Sequence, residues 1–285
     1  MLTKSKSIAK ALIERGVTKS DIILTFSENT IELVIFLFAS IFLGVTIYPV
    51  SPSVNVYEVD QLIESLGSIV FFTSKLKSEI MAKIFANKKK PNIKFVGILD
   101  GVYDNFVTLE QLLKEGKNKT LDTIPHFSIK SKEELFSLLQ SSGTSGIPKS
   151  VMASHRAFVA NLMTMINADF DRSQYTSQPS FCLMSPLACG SGLITLIGYL
   201  ALGVRVVMYR DYDPELILKS IEKYRIDLVS FVPAFAHKLV SGDLVDKYDF
   251  SSVKLMATTG AAIPEHICKA IINKYKGVVL QEGMK

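Results

Sequence analysis

LVIFLFASIFLGVTIYPV, residues Leu33 to Val50, runs for eighteen residues without a charge, and the architecture turns on how it is divided. Eighteen apolar residues just reach the length of a membrane-spanning helix. Two features argue for a different division. Gly44 interrupts the run, and the part that follows, Val45 to Val50, is β-branched and aromatic, which suits a strand. A helix from about Thr30 to Leu43 followed by a short buried strand accounts for the same residues, because buried parallel strands read as continuous apolar runs. The expectation is helix plus strand, with no stable membrane span.

On either side of this stretch, helical and strand patterns alternate. Helices are expected over Ile8 to Glu14 (ended by Gly16), Glu58 to Ser65, Lys75 to Phe85, Ser154 to Asn167, Pro214 to Tyr224 and Pro264 to Tyr275. Strands fit Ile22 to Phe26, Ile69 to Thr73, Phe95 to Leu99, Leu135 to Gln140, Phe181 to Met184, Val204 to Met208 and Leu228 to Phe231. Such alternation implies βαβ units, hence an α/β fold with mostly parallel sheets covered by helices. Lys114 to Glu133 is polar and poor in pattern, and reads as a loop or a subdomain connection.

Composition narrows the classes. The chain of 285 residues is 48% hydrophobic and 21% charged, a balance that excludes a disordered or fibrous protein. A net charge of +5 is only mildly basic. The Lys88 to Lys90 cluster reads as a solvated turn, or as a weak anion patch. A nucleic-acid surface would need more basic residues on one face. Cys182, Cys189 and Cys268 form neither an even set nor a CxxC pair, and the four histidines are scattered, so no metal-ligand spacing appears. This usage points to a reducing, intracellular compartment. The first sixteen residues hold apolar positions at helical spacing and lack the core of a secretory signal.

The chemistry concentrates in Ser141-Ser142-Gly143-Thr144-Ser145-Gly146-Ile147-Pro148-Lys149, directly after an apolar strand. Gly143 and Gly146 allow positive φ and bring backbone N–H groups close to an anion. The hydroxyls add donors and Lys149 adds positive charge. That set suits ATP phosphates, whose charge must be held while a carboxylate attacks the α-phosphorus. No Walker spacing is present, and no Gly-x-Ser-x-Gly elbow occurs in the chain. The bland alternative is a Gly/Ser/Thr-rich hairpin turn, which would need only one or two of these residues and no Pro-Lys ending.

The run resembles the signature loop of the adenylate-forming superfamily, the acyl-CoA synthetases, 4-coumarate–CoA ligases and insect luciferases. Their pattern is roughly [ST]-S-G-[ST]-[TS]-G-x-P-K-G-V, and Ser150 replaces the glycine before the valine here. Ser154 would cap the helix that follows, and His155 on its first turn reads as structural. Ser27-Glu28-Asn29, Gly44 to Val50, Gly198-Tyr199-Leu200, Gly203 to Tyr209, Val232-Pro233, Asp246 to Ser252 and Ala257-Thr-Thr-Gly-Ala-Ala are similar to other parts of the same domain. The resemblance thus runs the length of the chain.

It implies ATP-dependent activation of a fatty or aromatic carboxylic acid to an acyl-AMP, then thioester formation with coenzyme A. ATP, Mg²⁺ and coenzyme A would be the cofactors. Ser142, Gly143, Thr144, Ser145, Gly146 and Lys149 would hold the phosphates. Thr259, Gly260 and Ala261 would lie by the adenine, and Cys189 with Gly190 would line the acyl pocket. A cytoplasmic or peroxisomal location would follow.

Departures from the pattern set a second expectation. Cys189 stands in a segment where relatives carry a histidine, and reads more simply as a small buried thiol. Near the end, Glu282 occupies the place of an aromatic residue and Lys285 that of a threonine, with no magnesium-binding glutamate after them. Glu282 reads as a frayed end or as a substitute ligand. Residues 1–285 are therefore expected to be a partial N-terminal adenylation domain without the C-terminal domain that carries the family's catalytic lysine. No catalytic residue is assigned within them. The alternative function is an inactive remnant or nucleotide-binding module of the same fold.

Overall fold

The computed structural model describes residues 1–87, 90–117, 133–140, 150–167, 178–241, 244–258 and 261–282. The chain divides into two compact units, Met1–Asn161 with Pro186–Gly190, and Leu162–Ser185 with Ser191–Lys285.

The first unit contains α1 (Leu2–Glu14), β1 (Ile22–Phe26), α2 (Ile31–Leu43), β2 (Thr46–Val50), α3 (Val56–Ser65), β3 (Ile69–Thr73) and α4 (Lys75–Asn87). It continues through β4 (Ile93–Ile98), β5 (Val107–Thr108), α5 (Leu109–Lys117), β6 (Leu135–Gln140) and β7 (Ser150–Ser154) into the first part of α6 (His155–Asn167), whose residues from Leu162 onward belong to the second unit. The apolar run at Leu33 divides as expected. Thr30 is extended and its Oγ1 accepts the Leu33 N–H at 3.0 Å, which caps α2. Gly44, at φ 60°, ends the helix in the left-handed region, and the next residue, Val45, returns its N–H to the Ser40 carbonyl. Among the described residues no helix is long and apolar enough to cross a membrane.

The seven strands lie in the order β5-β4-β3-β1-β2-β6-β7, with every neighbouring pair parallel except β6 and β7. Helices cover both faces. Leu24, Phe26, Tyr48, Val50 and Phe71 pack with Val59 and Ile63 of α3 and Met81 of α4. On the other face Phe72 meets Phe36 of α2, ring centroids 4.1 Å apart. Strands buried on both sides have no polar alternation, which is why β3 is buried at all five positions. Behind α2, α1 and α5 pack closely: a Cβ on Gly116 would stand 1.8 Å from the Ser7 carbonyl oxygen.

In the second unit, β8 (Ser180–Leu183), α7 (Gly190–Ala201), β9 (Arg205–Met208), α8 (Pro214–Tyr224), β10 (Leu228–Phe231), α9 (Pro233–Val240), β11 (Leu255–Thr258), α10 (Glu265–Lys274) and β12 (Val279–Glu282) alternate. Their strands form a parallel sheet in the order β12-β11-β10-β8-β9. Asp213 caps α8 by accepting the N–H groups of Glu215 and Leu216. Cys182, Phe231, Phe235, Met256 and Ile271 belong to one buried cluster.

Several expectations change. The polar stretch from Lys114 begins inside α5, which runs to Lys117, and residues 118–132 lie outside the described residues. Of the Lys88 to Lys90 cluster, Lys88 and Lys89 lie outside the described residues, and the Lys90 ammonium is not solvated. Its side chain is 4% exposed and bridges Asp60 and Glu64 at 2.6 and 2.7 Å, because the surface of α3 offers two carboxylates to one cation. Strands β5 and β7, helices α5, α7 and α9, and the two last strands have no counterpart among the elements read from periodicity.

Candidate functional site

Strands β6 and β7 form a hairpin at one edge of the first sheet, with Gln140 opposite Ser150 as its closing pair. Nine residues therefore bridge two directly opposed positions, where two to five suffice for an ordinary hairpin. The extra length is the Ser/Thr/Gly/Lys loop. Ser142, Gly143, Thr144, Ser145, Gly146 and Lys149 themselves lie outside the described residues.

The feet of the loop are described. Ser150 Oγ stands 2.5 Å from the hydroxyl of Tyr48, and either atom can donate. Tyr48 is 1% exposed. Burial pushes its phenol pKa upward, against the hydrogen bond to Ser150. Tyr48, Gln140 and Ser150 share a cavity of about 230 Å³ with Glu58, Gln61, Leu62 and Ser65 of α3. Sequence reading passed over Tyr48, because an apolar run gives no sign of where one hydroxyl points.

The proposed acyl-side residues sit in the turn Pro186–Gly190. The Cys189 N–H donates to the Pro186 carbonyl at 3.0 Å, and the Leu187 N–H donates to Asn29 Oδ1 at 2.8 Å. A Cβ on Gly190 would come 3.0 Å from Leu139 Cδ1, so this turn lies against β6, the strand that leads into the loop. Cys189 and Gly190 are thus brought beside the loop's first foot. Contrary to the expectation of a small buried thiol, Cys189 is exposed, because the turn presents it outward. Partial desolvation still raises its thiol pKa. The buried thiol is Cys182, whose pKa burial pushes up to about 12. Next to Asn29, Glu28 is 2% exposed, and among the described residues neither carboxylate oxygen has a hydrogen-bond partner.

In the second unit, Thr259 and Gly260 lie outside the described residues, and Ala261 is exposed on the segment from β11 to α10. Glu282 is not frayed. It pairs with Thr258 in the ladder of β11 and β12, and its Oε1 accepts the Ile263 N–H at 3.1 Å. Lys285 lies outside the described residues. Among the described residues no group of three or more His, Cys, Asp or Glu side chains could hold a metal ion. A divalent magnesium ion wants several free oxygens. Glu282, with one oxygen already accepting a backbone N–H, does not supply that set.

At the far end of β7 the capping expectation holds. Ser154 Oγ accepts the Ala157 N–H at 3.2 Å and starts α6. The His155 ring packs against Phe136, centroids 5.3 Å apart, and burial lowers its pKa, opposed by Glu134 and assisted by Lys19. It is a packing residue.

The mostly parallel sheets, with nine Ser/Thr/Gly/Lys-rich residues between the closing pair of an edge hairpin, place the chain in the α/β class. The family model described as AMP-binding enzyme matches residues 1–283, and the chain belongs to that family. Luciferin 4-monooxygenase of Nipponoluciola cruciata is 29% identical over 99% of this chain and 52% of its own length. Peroxisomal OPC-8:0-CoA ligase 1 of Arabidopsis thaliana is 26% identical over 98% of this chain and 50% of its own. The chain thus spans about half the length of these curated relatives. In fold it is similar to a natural red-emitting luciferase from Phrixothrix hirtus, with a TM-score of 0.84 at 22% identity, over 96% of this chain and 53% of that one.

Proposed function

We propose that residues 1–285 are part of the large N-terminal domain of an ATP-dependent acid ligase, with residues 141–149 holding the nucleotide's phosphates. The observation that supports this best is the nine-residue Ser/Thr/Gly/Lys loop suspended between the closing pair of β6 and β7. In the reaction, a carboxylate oxygen of the acid attacks the α-phosphorus of ATP. The new P–O bond makes the acyl-AMP, and pyrophosphate leaves with the electrons of the bond that breaks. The sulfur of coenzyme A then attacks the acyl carbon. A thioester forms, AMP departs and the thiol proton passes to solvent.

Lys149 with Ser142, Gly143, Thr144, Ser145 and Gly146 would clamp the β- and γ-phosphates, where fixed donors and positive charge act most strongly. Thr259, Gly260 and Ala261 would border the adenine, and Cys189 with Gly190 the acid. Cys189 has no imidazole to offer a carboxylate, so the acid would be held by shape and apolar contact more than by charge. A fatty or aromatic carboxylic acid accords with relatives named as a CoA ligase and a luciferin monooxygenase. Mg²⁺ would arrive on the nucleotide's own phosphates, with no described residue assigned to it. The proposed location is cytoplasmic or peroxisomal, and the second accords with the name of the Arabidopsis relative. No nucleic-acid partner is proposed.

A second reading, nucleotide binding without turnover, is favoured by the engagement of Glu282 with the Ile263 N–H. Exchange of labelled pyrophosphate into ATP, measured with a panel of fatty and hydroxycinnamic acids, separates the two. Acid-dependent exchange supports the ligase. Saturable ATP binding with no exchange for any acid supports the second reading, and no ATP binding at all removes both.

A further inference from the structure

Ser150 is the residue at which this chain leaves the loop pattern of its family, and it is also the loop's second foot. It lies on an edge strand that pairs with β6 alone among the described strands, and Ser150, Val151 and Met152 are all exposed. Packing therefore holds the start of β7 weakly, and the ladder to β6 leaves a side chain free to swing.

Tyr48 supplies the missing hold. It belongs to β2, two strands away from β7, a separation of roughly 10 Å at the usual strand spacing. Its ring is packed among Leu24, Val59, Ile63 and Leu138, so the hydroxyl is delivered by a rigid body. It reaches across β6 to Ser150 Oγ at 2.5 Å. The central sheet is thereby tied to the residue directly after Lys149. A glycine at position 150, the residue the family pattern carries, has no hydroxyl to tie and a freer backbone.

We propose that Tyr48 and Ser150 are positioning residues for the phosphate loop, with their hydrogen bond fixing the end of β7 that follows residues 141–149. This inference rests on reading residues 141–149 as the phosphate loop.

The test is ATP affinity, by titration calorimetry at two salt concentrations, for the full chain and for Tyr48→Phe, Ser150→Ala, Ser150→Thr, Met152→Ala and the Tyr48→Phe/Ser150→Ala double variant. One neutral hydrogen bond bounds the effect, so Tyr48→Phe and Ser150→Ala should each weaken ATP binding about three- to tenfold. The double variant should be no weaker than the worse single one, because both remove the same bond. Ser150→Thr should recover affinity relative to Ser150→Ala, and binding by the weakened variants should fall less steeply with salt as the lysine contact loosens. Met152→Ala, on the same exposed strand, should bind like the unsubstituted chain, whereas a merely structural role would lower melting temperatures and leave affinity alone. Unchanged affinity in both single variants, or full additivity in the double one, overturns the inference while the phosphate reading stands. Failure of the unsubstituted chain to bind ATP overturns the phosphate reading and the inference together.

Discussion

Asp21 carries more of the first unit's stability than its place in a surface turn suggests. Its side chain is 1% exposed, and Oδ2 accepts from the Thr18 N–H at 2.7 Å and the Lys94 ammonium at 2.7 Å. Burial alone would raise its pKa, but Lys94, Ser68 and Thr18 together hold it below the usual carboxylate value. Asp21→Ala strands these donors at the entry to β1 and should cost about 3 kcal/mol in urea unfolding. His155 acts in the opposite sense. Its folded pKa lies below 6.5, so the unfolded chain binds the proton more readily. Its contribution to stability is whole above pH 6.5 and declines as pH falls from there towards the folded value. Melting temperature should therefore drop between pH 7 and 5.5, and drop less in His155→Gln. At this scale the sequence is legible where a residue's role is local: the Ser154 cap follows from its neighbours alone. The exposure of Cys189 and the ion pairs of Lys90 depend on distant elements, and periodicity carries no sign of them.

At the level of elements, strands and helices buried on both sides were readable, since apolar runs and breakers mark them directly. Gly44 divides α2 from β2 in the structure as it divides the pattern. Helix α7 hid behind its glycines, and one of them is a packing requirement: a Cβ on Gly198 would meet Met165 Sδ at 2.2 Å. Strand β7 hid because an exposed edge strand shows no burial alternation, and among the described strands it pairs with β6 alone. The contact of α1 and α5 was equally invisible, although its consequence is simple. Gly116→Ala puts a methyl group into the Ser7 carbonyl, and backbone cannot step aside as a side chain would. The two helices should be forced apart, with a loss of about 2 kcal/mol or more in chemical denaturation and faster proteolysis of α1.

Across the molecule, the parts of the first sheet are assembled over very different distances along the chain. β1, α2, β2, α3 and β3 are consecutive, whereas β6 meets β2 through Ile47 and Ser137, about 90 residues apart. Pairings that close so long a loop carry a larger entropic cost and form late. Amides of β6 and β7 should exchange hydrogen faster than those of β1 and β3, and ATP should slow the first pair selectively if the loop binds it. During synthesis the open side of β2 has long since emerged when β6 is made, and an open strand side is a template for another chain. Pro49, near the end of β2, carries no N–H and so takes one donor out of the strand. Pro49→Val should leave the finished sheet nearly as stable but raise the fraction lost to aggregates on dilution from denaturant. The proline in the apolar run would then be a guard for the interval between two strands, a protection needed only while the protein is still being made.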